Sequence, residues 1–284
     1  MKRTRKSNSK KPFSLFSLIR RLWKFATVNY LITIFFACIL FVGVVSVYKL
    51  FFAKDIYAYT RVKVSQGLWW ANTAKPSIWM LKAFKKGDIE KSLTGKPSVE
   101  ILAVRYYPYW GTDQFDVYLD LKLLVSGNPK TGKYNFKRSA IGVGAPIDLE
   151  FPDVQVSGTI IRMSTKQFKD KTVKKVLTLS KKYANAWEYD AIQIGDSYFD
   201  GTNKVFIVTD KWFEDQFVSY DATGNNYPLE TEPKKHITVE AEVLLVQSKD
   251  QLFFAQEQKM TLGKAFNMST NSFTFEGFEI AGIE

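Results

Sequence analysis

The sequence predicts a mainly β protein: one N-terminal transmembrane helix, then two tandem, similar modules, barrel-like or sandwich-like, with few short helices. Three observations predict it. The run from Phe25 to Tyr48 carries no charged side chain. Beyond it, apolar residues recur with a period of two. The landmarks of that β-rich region then return about 120 residues further on.

The apolar run comes first. Its 24 residues, at about 1.5 Å each, reach roughly 36 Å, more than a hydrocarbon core of about 30 Å requires. It is apolar on every face, whereas a buried core helix keeps a polar stripe. Lys24 and Lys49 bracket it, Trp23, Tyr30 and Tyr48 fall near its ends, and residues 25–53 are assigned to membrane lipid. A cleaved signal peptide is the rival reading. The run is too long for one, and Phe51 fits poorly three residues before a cleavage site at Ala53. Cys38 lies ten residues inside the end of the apolar stretch, which suits a small helix residue better than a lipidation site.

Charge gives the orientation. The chain is formally +12, but Lys2, Arg3, Arg5, Lys6, Lys10, Lys11, Arg20, Arg21 and Lys24 supply nine positive charges before the helix, with no Asp or Glu among them. Taking nine from twelve leaves three for the other 260 residues. The basic excess therefore marks a cytoplasmic tail, residues 1–24, and puts the C-terminal domain outside the cytoplasm in a single-pass cell-membrane protein. No glycine-rich phosphate loop or aromatic-basic motif follows, so nucleic acid is not an expected partner.

In the exported part, Val117, Leu119, Leu121, Leu123 and Val125 alternate with Asp116, Tyr118, Asp120 and Lys122, the pattern of a half-buried strand. Ile237, Val239, Ala241, Val243 and Leu245 repeat it at an offset of 120. Residues 143–161 then lie without gaps over 262–280, placing Gly144 on Gly263 and Gly158 on Gly277. Ile147 meets Phe266, Leu149 meets Met268, Val154 meets Phe273 and Val156 meets Phe275. Only three of these nineteen positions are identical, so the repeat is one of pattern. Upstream, Trp70-Ala71-Asn72 resembles Tyr183-Ala184-Asn185, and Gly87-Asp88 resembles Gly195-Asp196. The modules are set at residues 60–163 and 166–284, with Thr165 to Lys175 as their connection. Asp221 to Pro228 and Glu230 to Lys235 read as a surface loop, and Ser77 to Lys86 as a short helix opened by a Ser cap and closed by Gly87.

The unit Val143-Gly144-Ala145-Pro146-Ile147-Asp148-Leu149, followed by Val156-Ser157-Gly158-Thr159-Ile160-Ile161, resembles an uncharacterised bacterial family of N-terminally membrane-anchored envelope proteins with a small β domain. It also resembles the β-barrel domain of membrane-fusion, or periplasmic adaptor, proteins. The first resemblance implies topology and fold. The second implies assembly with envelope partners, although the chain has neither the long heptad-bearing hairpin nor the lipoyl-like domain of adaptors.

Catalytic chemistry has few carriers. One His and one Cys cannot build a structural zinc or iron–sulfur site, and no cofactor is expected. His236, beside two lysines at a strand entry, reads as a surface residue. Asp113, Asp116 and Asp120 read as a solvated strand edge rather than a glycosidase pair. Gly195 to Asn203 offers oxygen ligands without the Asp/Asn ladder of a calcium loop, and reads as a turn. Aromatic residues stand out instead: Trp69, Trp70, Trp79, Tyr107, Tyr109 and Trp110 suit contact with a protein partner or a glycan if exposed, docking to the bilayer surface, or core packing if buried. The expectation is a non-enzymatic interaction or assembly component of the cell envelope or a secretion system, with protein partners or self-assembly. A glycan-binding module is the alternative, and a carboxylate-based hydrolase the third reading.

Overall fold

The computed structural model describes residues 30–52, 55–65, 75–92, 95–109, 114–128, 131–216 and 234–284. The basic tail lies outside them. Two units are distinct. The first holds helix α1, Tyr30–Phe52, of which Tyr30–Tyr48 is long and apolar enough to cross a membrane and has none of its residues buried. The second is the β unit, Ile56–Glu284.

The β unit contains two similar curled sheets, each a half-barrel. The first is built from β1 (Ile56–Ser65), β2 (Ile89–Lys91), β3 (Pro97–Pro108), β4 (Phe115–Asn128), β7 (Pro146–Glu150) and β8 (Gln155–Ser164), in the order β2-β3-β4-β1-β8-β7. Strands β5 (Lys133–Phe136) and β6 (Ser139–Ile141) extend β4. The second repeats this order as β10-β11-β12-β9-β16-β15. Its members are β9 (Thr172–Ala184), β10 (Ser197–Phe199), β11 (Lys204–Gln216), β12 (Lys234–Ser248), β15 (Ala265–Ser269) and β16 (Thr274–Ile283), with β13 (Gln251–Phe254) and β14 (Gln258–Lys259) extending β12. Each strand of the second sheet is the counterpart of the one eight places earlier. A six-residue helix sits after the first strand of each module, α2 (Ile78–Ala83) and α3 (Ala186–Ala191).

The alternation read from the sequence sets the cores. Val117, Leu119, Leu121 and Leu123 are fully buried, and so are Ile237, Val239, Ala241, Val243 and Leu245. The connection between modules is 165–171, and β9 begins at Thr172. Most of the expected surface loop lies outside the described residues, and β12 begins at Lys234, so the last two residues of that loop, Lys234 and Lys235, are strand.

Four copies of one turn pin the hairpins in place. Lys85-Lys86-Gly87-Asp88, Gly142-Val143-Gly144-Ala145, Gln193-Ile194-Gly195-Asp196 and Thr261-Leu262-Gly263-Lys264 are each closed by a bond from the fourth N–H to the first carbonyl, at 3.1, 3.1, 3.1 and 3.2 Å. Each glycine has φ between 75° and 92°, the third position of a type II turn, where a side chain is strained. The glycine N–H then donates to a strand carbonyl, of Ile101, Ile160, Val208 and Ile280 respectively, at 2.7–2.8 Å. The N–H of that same strand residue returns a bond to the residue after the glycine.

The ungapped overlay of 143–161 on 262–280 fails at one place. Leu149 pairs Val156 as Met268 pairs Phe275, but Ile147 pairs Gly158 while Phe266 pairs Phe278. The structural counterpart of Gly158 is therefore Phe278, not Gly277. Glu276-Gly277 opposes one residue on β15, a bulge in which Gly277 has φ 73°. Gly158 is needed for a different reason: a Cβ there would lie 2.4 Å from Val62 Cγ1 and 2.7 Å from the Lys63 carbonyl oxygen on β1.

Candidate functional site

The two modules meet on the outer face of the first sheet. In β1 the inward residues are Ala58, Thr60, Val62 and Val64, so Arg61 and Lys63 point out of their own half-barrel. Arg61 nevertheless keeps only 3% of its side chain exposed. The connection 165–171 and the β13–β14 hairpin of the second module supply its partners across this face.

Register builds the cluster. Asp120 on β4, Arg61 on β1 and Arg162 on β8 form one row across three neighbouring strands. Arg61 grips Asp120 with Nε to Oδ1 at 2.6 Å and Nη2 to Oδ2 at 3.0 Å. Two arginines side by side repel, and Asp170 from the connection resolves this by accepting from Arg61 Nη2 and Arg162 Nη1, each at 2.7 Å. Arg105 Nη2 adds a contact to Asp120 at 3.0 Å. Arg61 Nη1 donates to Gln256 Oε1, and Lys63 Nζ pairs with Glu257 at 2.6 Å. Ala255 and Gln256 hold left-handed backbone, φ 49° and 71°, at the tip of the hairpin that receives Arg61.

Burial opposes the charge of Arg61, but hydrogen bonds and attraction from Asp120, then Asp170, outweigh it and raise its pKa. Burial also opposes ionisation of Asp170. Its bonds to Arg61 and Arg162, with the field of Arg105, hold it below the usual carboxylate range. Asp120, expected on a solvated edge, is buried. It does face away from its own barrel, but the second module covers that face.

A second contact uses the segment Gly195 to Asn203. Asp200 accepts its own loop's Thr202 and Asn203 N–H groups on Oδ1, and the Tyr107 hydroxyl on Oδ2 at 2.9 Å. Its carbonyl takes the Tyr106 N–H at 2.9 Å, and the Tyr198 hydroxyl donates to the Tyr106 carbonyl at 3.0 Å. Gly201, φ 95°, lets the loop approach: a Cβ would lie 2.6 Å from the Tyr106 ring and 2.7 Å from the Val104 carbonyl oxygen. Tyr107 is thus a correction to its reading as a surface contact. It is buried against Tyr118 and Phe254, in the core of the second module. Burial, then Asp200, pushes its pKa up.

Beside Arg61 the junction opens into a cleft of about 470 Å³. Arg162, Lys169 and Lys171 line it with Arg61, and Ile161, Val246 and Phe253 add apolar surface.

Of the other aromatic candidates, Trp69, Trp70 and Trp110 lie outside the described residues. Trp79, on α2, is 63% exposed, and Tyr109 is partly exposed with Lys75 Nζ 4.2 Å above its ring. Gln114 bridges Ser77 and accepts the Tyr109 N–H, so Tyr109 and the start of α2 share one end of β4. Sequence reading missed the counterpart of Trp79. At the offset of 108 that relates Gly87 to Gly195, Trp79 falls on Trp187, the second residue of α3, also 63% exposed. Phe84 and Ile192, one turn on, are both buried. Around α3, Tyr189 packs edge-on against Phe213 at 4.7 Å, and Lys235 lies 3.5 Å over Phe213.

His236 Nε2 lies 2.7 Å from Ser180 Oγ, on the outer face of the second sheet. Beside the pair the β9–β12 register shifts between Lys235 and Ile237, and the Tyr183 N–H donates to Gln216 Oε1 at 3.1 Å instead of to the ladder. Among the described residues, no group of three or more His, Cys, Asp or Glu is placed to hold a metal ion.

No family model matches the chain, and neither curated proteins nor solved structures show a similar chain.

Proposed function

We propose that the protein is a single-pass, membrane-anchored docking component of the cell envelope or a secretion system, with its β unit outside the cytoplasm and no catalytic role. One observation carries the reading: Trp79 and Trp187 stand at the same position of the two modules, each exposed on a short helix fixed to its barrel. A large indole on a rigid support suits an interface anchor, since aromatic residues dominate the energy of protein contacts. The apolar helix ahead of the β unit supports tethering at a membrane, and the resemblance to anchored envelope proteins agrees with it.

The test is photo-crosslinking in intact cells from a benzoyl-phenylalanine placed at residue 79 or 187, with one at Lys264 as control. The proposal expects one envelope protein, or a second copy of this chain, captured from both tryptophan positions and not from the control. Capture of glycan fragments only, or of nothing above the control, contradicts it.

A further inference from the structure

We propose that the cleft at the module junction binds a small organic anion, a carboxylate or phosphate ester carrying an apolar body. Four cationic side chains line the cleft, Arg61, Arg162, Lys169 and Lys171, against the single carboxylate of Asp170. Asp170 is already held between Arg61 and Arg162. Asp120 grips Arg61 within the sheet and is not part of the lining.

The junction uses only part of this charge. Arg162 gives one N–H to Asp170 and lies 4.7 Å over the Phe168 ring, which fixes its plane. Its side chain is half exposed, with no second carboxylate partner among the described residues. Lys169 and Lys171 are exposed and have no carboxylate partner there. Among the described residues, Lys169 and Lys171 make no ion pair across the junction. They flank the buried Arg61 guanidinium, where a low dielectric strengthens the attraction for an anion.

The repeat provides an internal control. Arg61 pairs with Asp120 and Arg162 as Thr178 pairs with Glu240 and Gly282 in the second module. The cationic row is therefore absent from the equivalent face of the second module.

The remaining lining defines the ligand. Ile161, Val246 and Phe253 offer apolar surface, while Gln247, Ser248 and Gln256 are polar. At about 470 Å³, the space is within the usual range for small-molecule sites and larger than an inorganic ion fills. An aromatic or short alkyl body with one anionic group matches both parts.

Calorimetric titration of the full chain in an uncharged detergent tests this with three probes: phenyl phosphate, inorganic phosphate and phenol. Saturable binding of phenyl phosphate is expected, tighter than either other probe and weakened by salt. The double variant Lys169→Ala/Lys171→Ala should weaken it about tenfold while the unfolding temperature stays constant. Lys264→Ala, outside the cleft lining, should leave it unchanged. Arg162→Gln supplies a second reading of the same site and should also weaken binding. The proposal is overturned by no saturable binding, by equal affinity for inorganic and phenyl phosphate, or by binding that ignores the cleft variants.

Discussion

Replacing Arg61 with Met removes the charge at the centre of the junction while keeping an unbranched stem of similar length. Arg61 is almost wholly buried and bonds Asp120, Asp170 and Gln256. Breaking a buried ion pair by deleting one partner costs about 3–5 kcal/mol, chiefly because the other charge is left buried. The lower end applies, since Asp120 keeps Arg105 at 3.0 Å and Asp170 keeps Arg162 at 2.7 Å. A loss of about 3 kcal/mol corresponds to a fall in Tm of roughly 6–12 °C for a unit of this size. Arg162→Met, at a half-exposed side chain, should cost less than about 1 kcal/mol. Thermal unfolding of the full chain in detergent, followed by circular dichroism, compares the two. Equal shifts for both variants, or a shift below about 2 °C for Arg61→Met, would refute the view that this arginine locks the modules together.

Three further outcomes follow from the same geometry. Gly201→Ala should destabilise by about 2–3 kcal/mol, from left-handed backbone plus collision with Tyr106 and Val104. Gly263→Ala, with open space around its Cβ, should cost only the backbone share, about 1 kcal/mol, and denaturant unfolding separates the two. Tyr107→Phe should cost about 1–2 kcal/mol by the same assay, because it strips one donor from Asp200 while the loop N–H groups remain. Since Asp170 has a depressed folded pKa, its contribution is complete above the ordinary carboxylate range and is lost as pH falls through the folded value. Tm of the wild type should therefore drop on acidification below about pH 4, and Asp170→Asn should flatten that part of the profile.

Local patterns in the chain carry much of this fold. From Tyr30 to Tyr48 the uncharged run lies in the apolar helix, and the alternations at Val117–Val125 and Ile237–Leu245 become the central strands of the two cores. The repeat was legible because Gly144 and Gly263 answer the same turn geometry, whatever surrounds them. Long-range features were not legible. Asp120 has the parity of a solvent-facing residue, and only the docking of the second module buries it. The sequence leaves Tyr107 open between a surface contact and core packing, and its partner Asp200 lies 93 residues away. The bulge at Glu276-Gly277 leaves the glycine spacing intact, so the sequence overlay hides the shift. Trp187 was within reach: the offset relating Gly87 to Gly195 also carries Trp79 onto it.

The proposed docking role requires the β unit to lie outside the cytoplasm. Asn271, exposed in the β15–β16 turn, can be changed to Cys in a Cys38→Ala background, leaving a single thiol. A membrane-impermeant maleimide should label this thiol in intact cells, to the same extent as after lysis. In a bacterium with an outer membrane, the comparison is made on spheroplasts. Labelling that appears only after the cytoplasmic membrane is broken would contradict an exported docking unit.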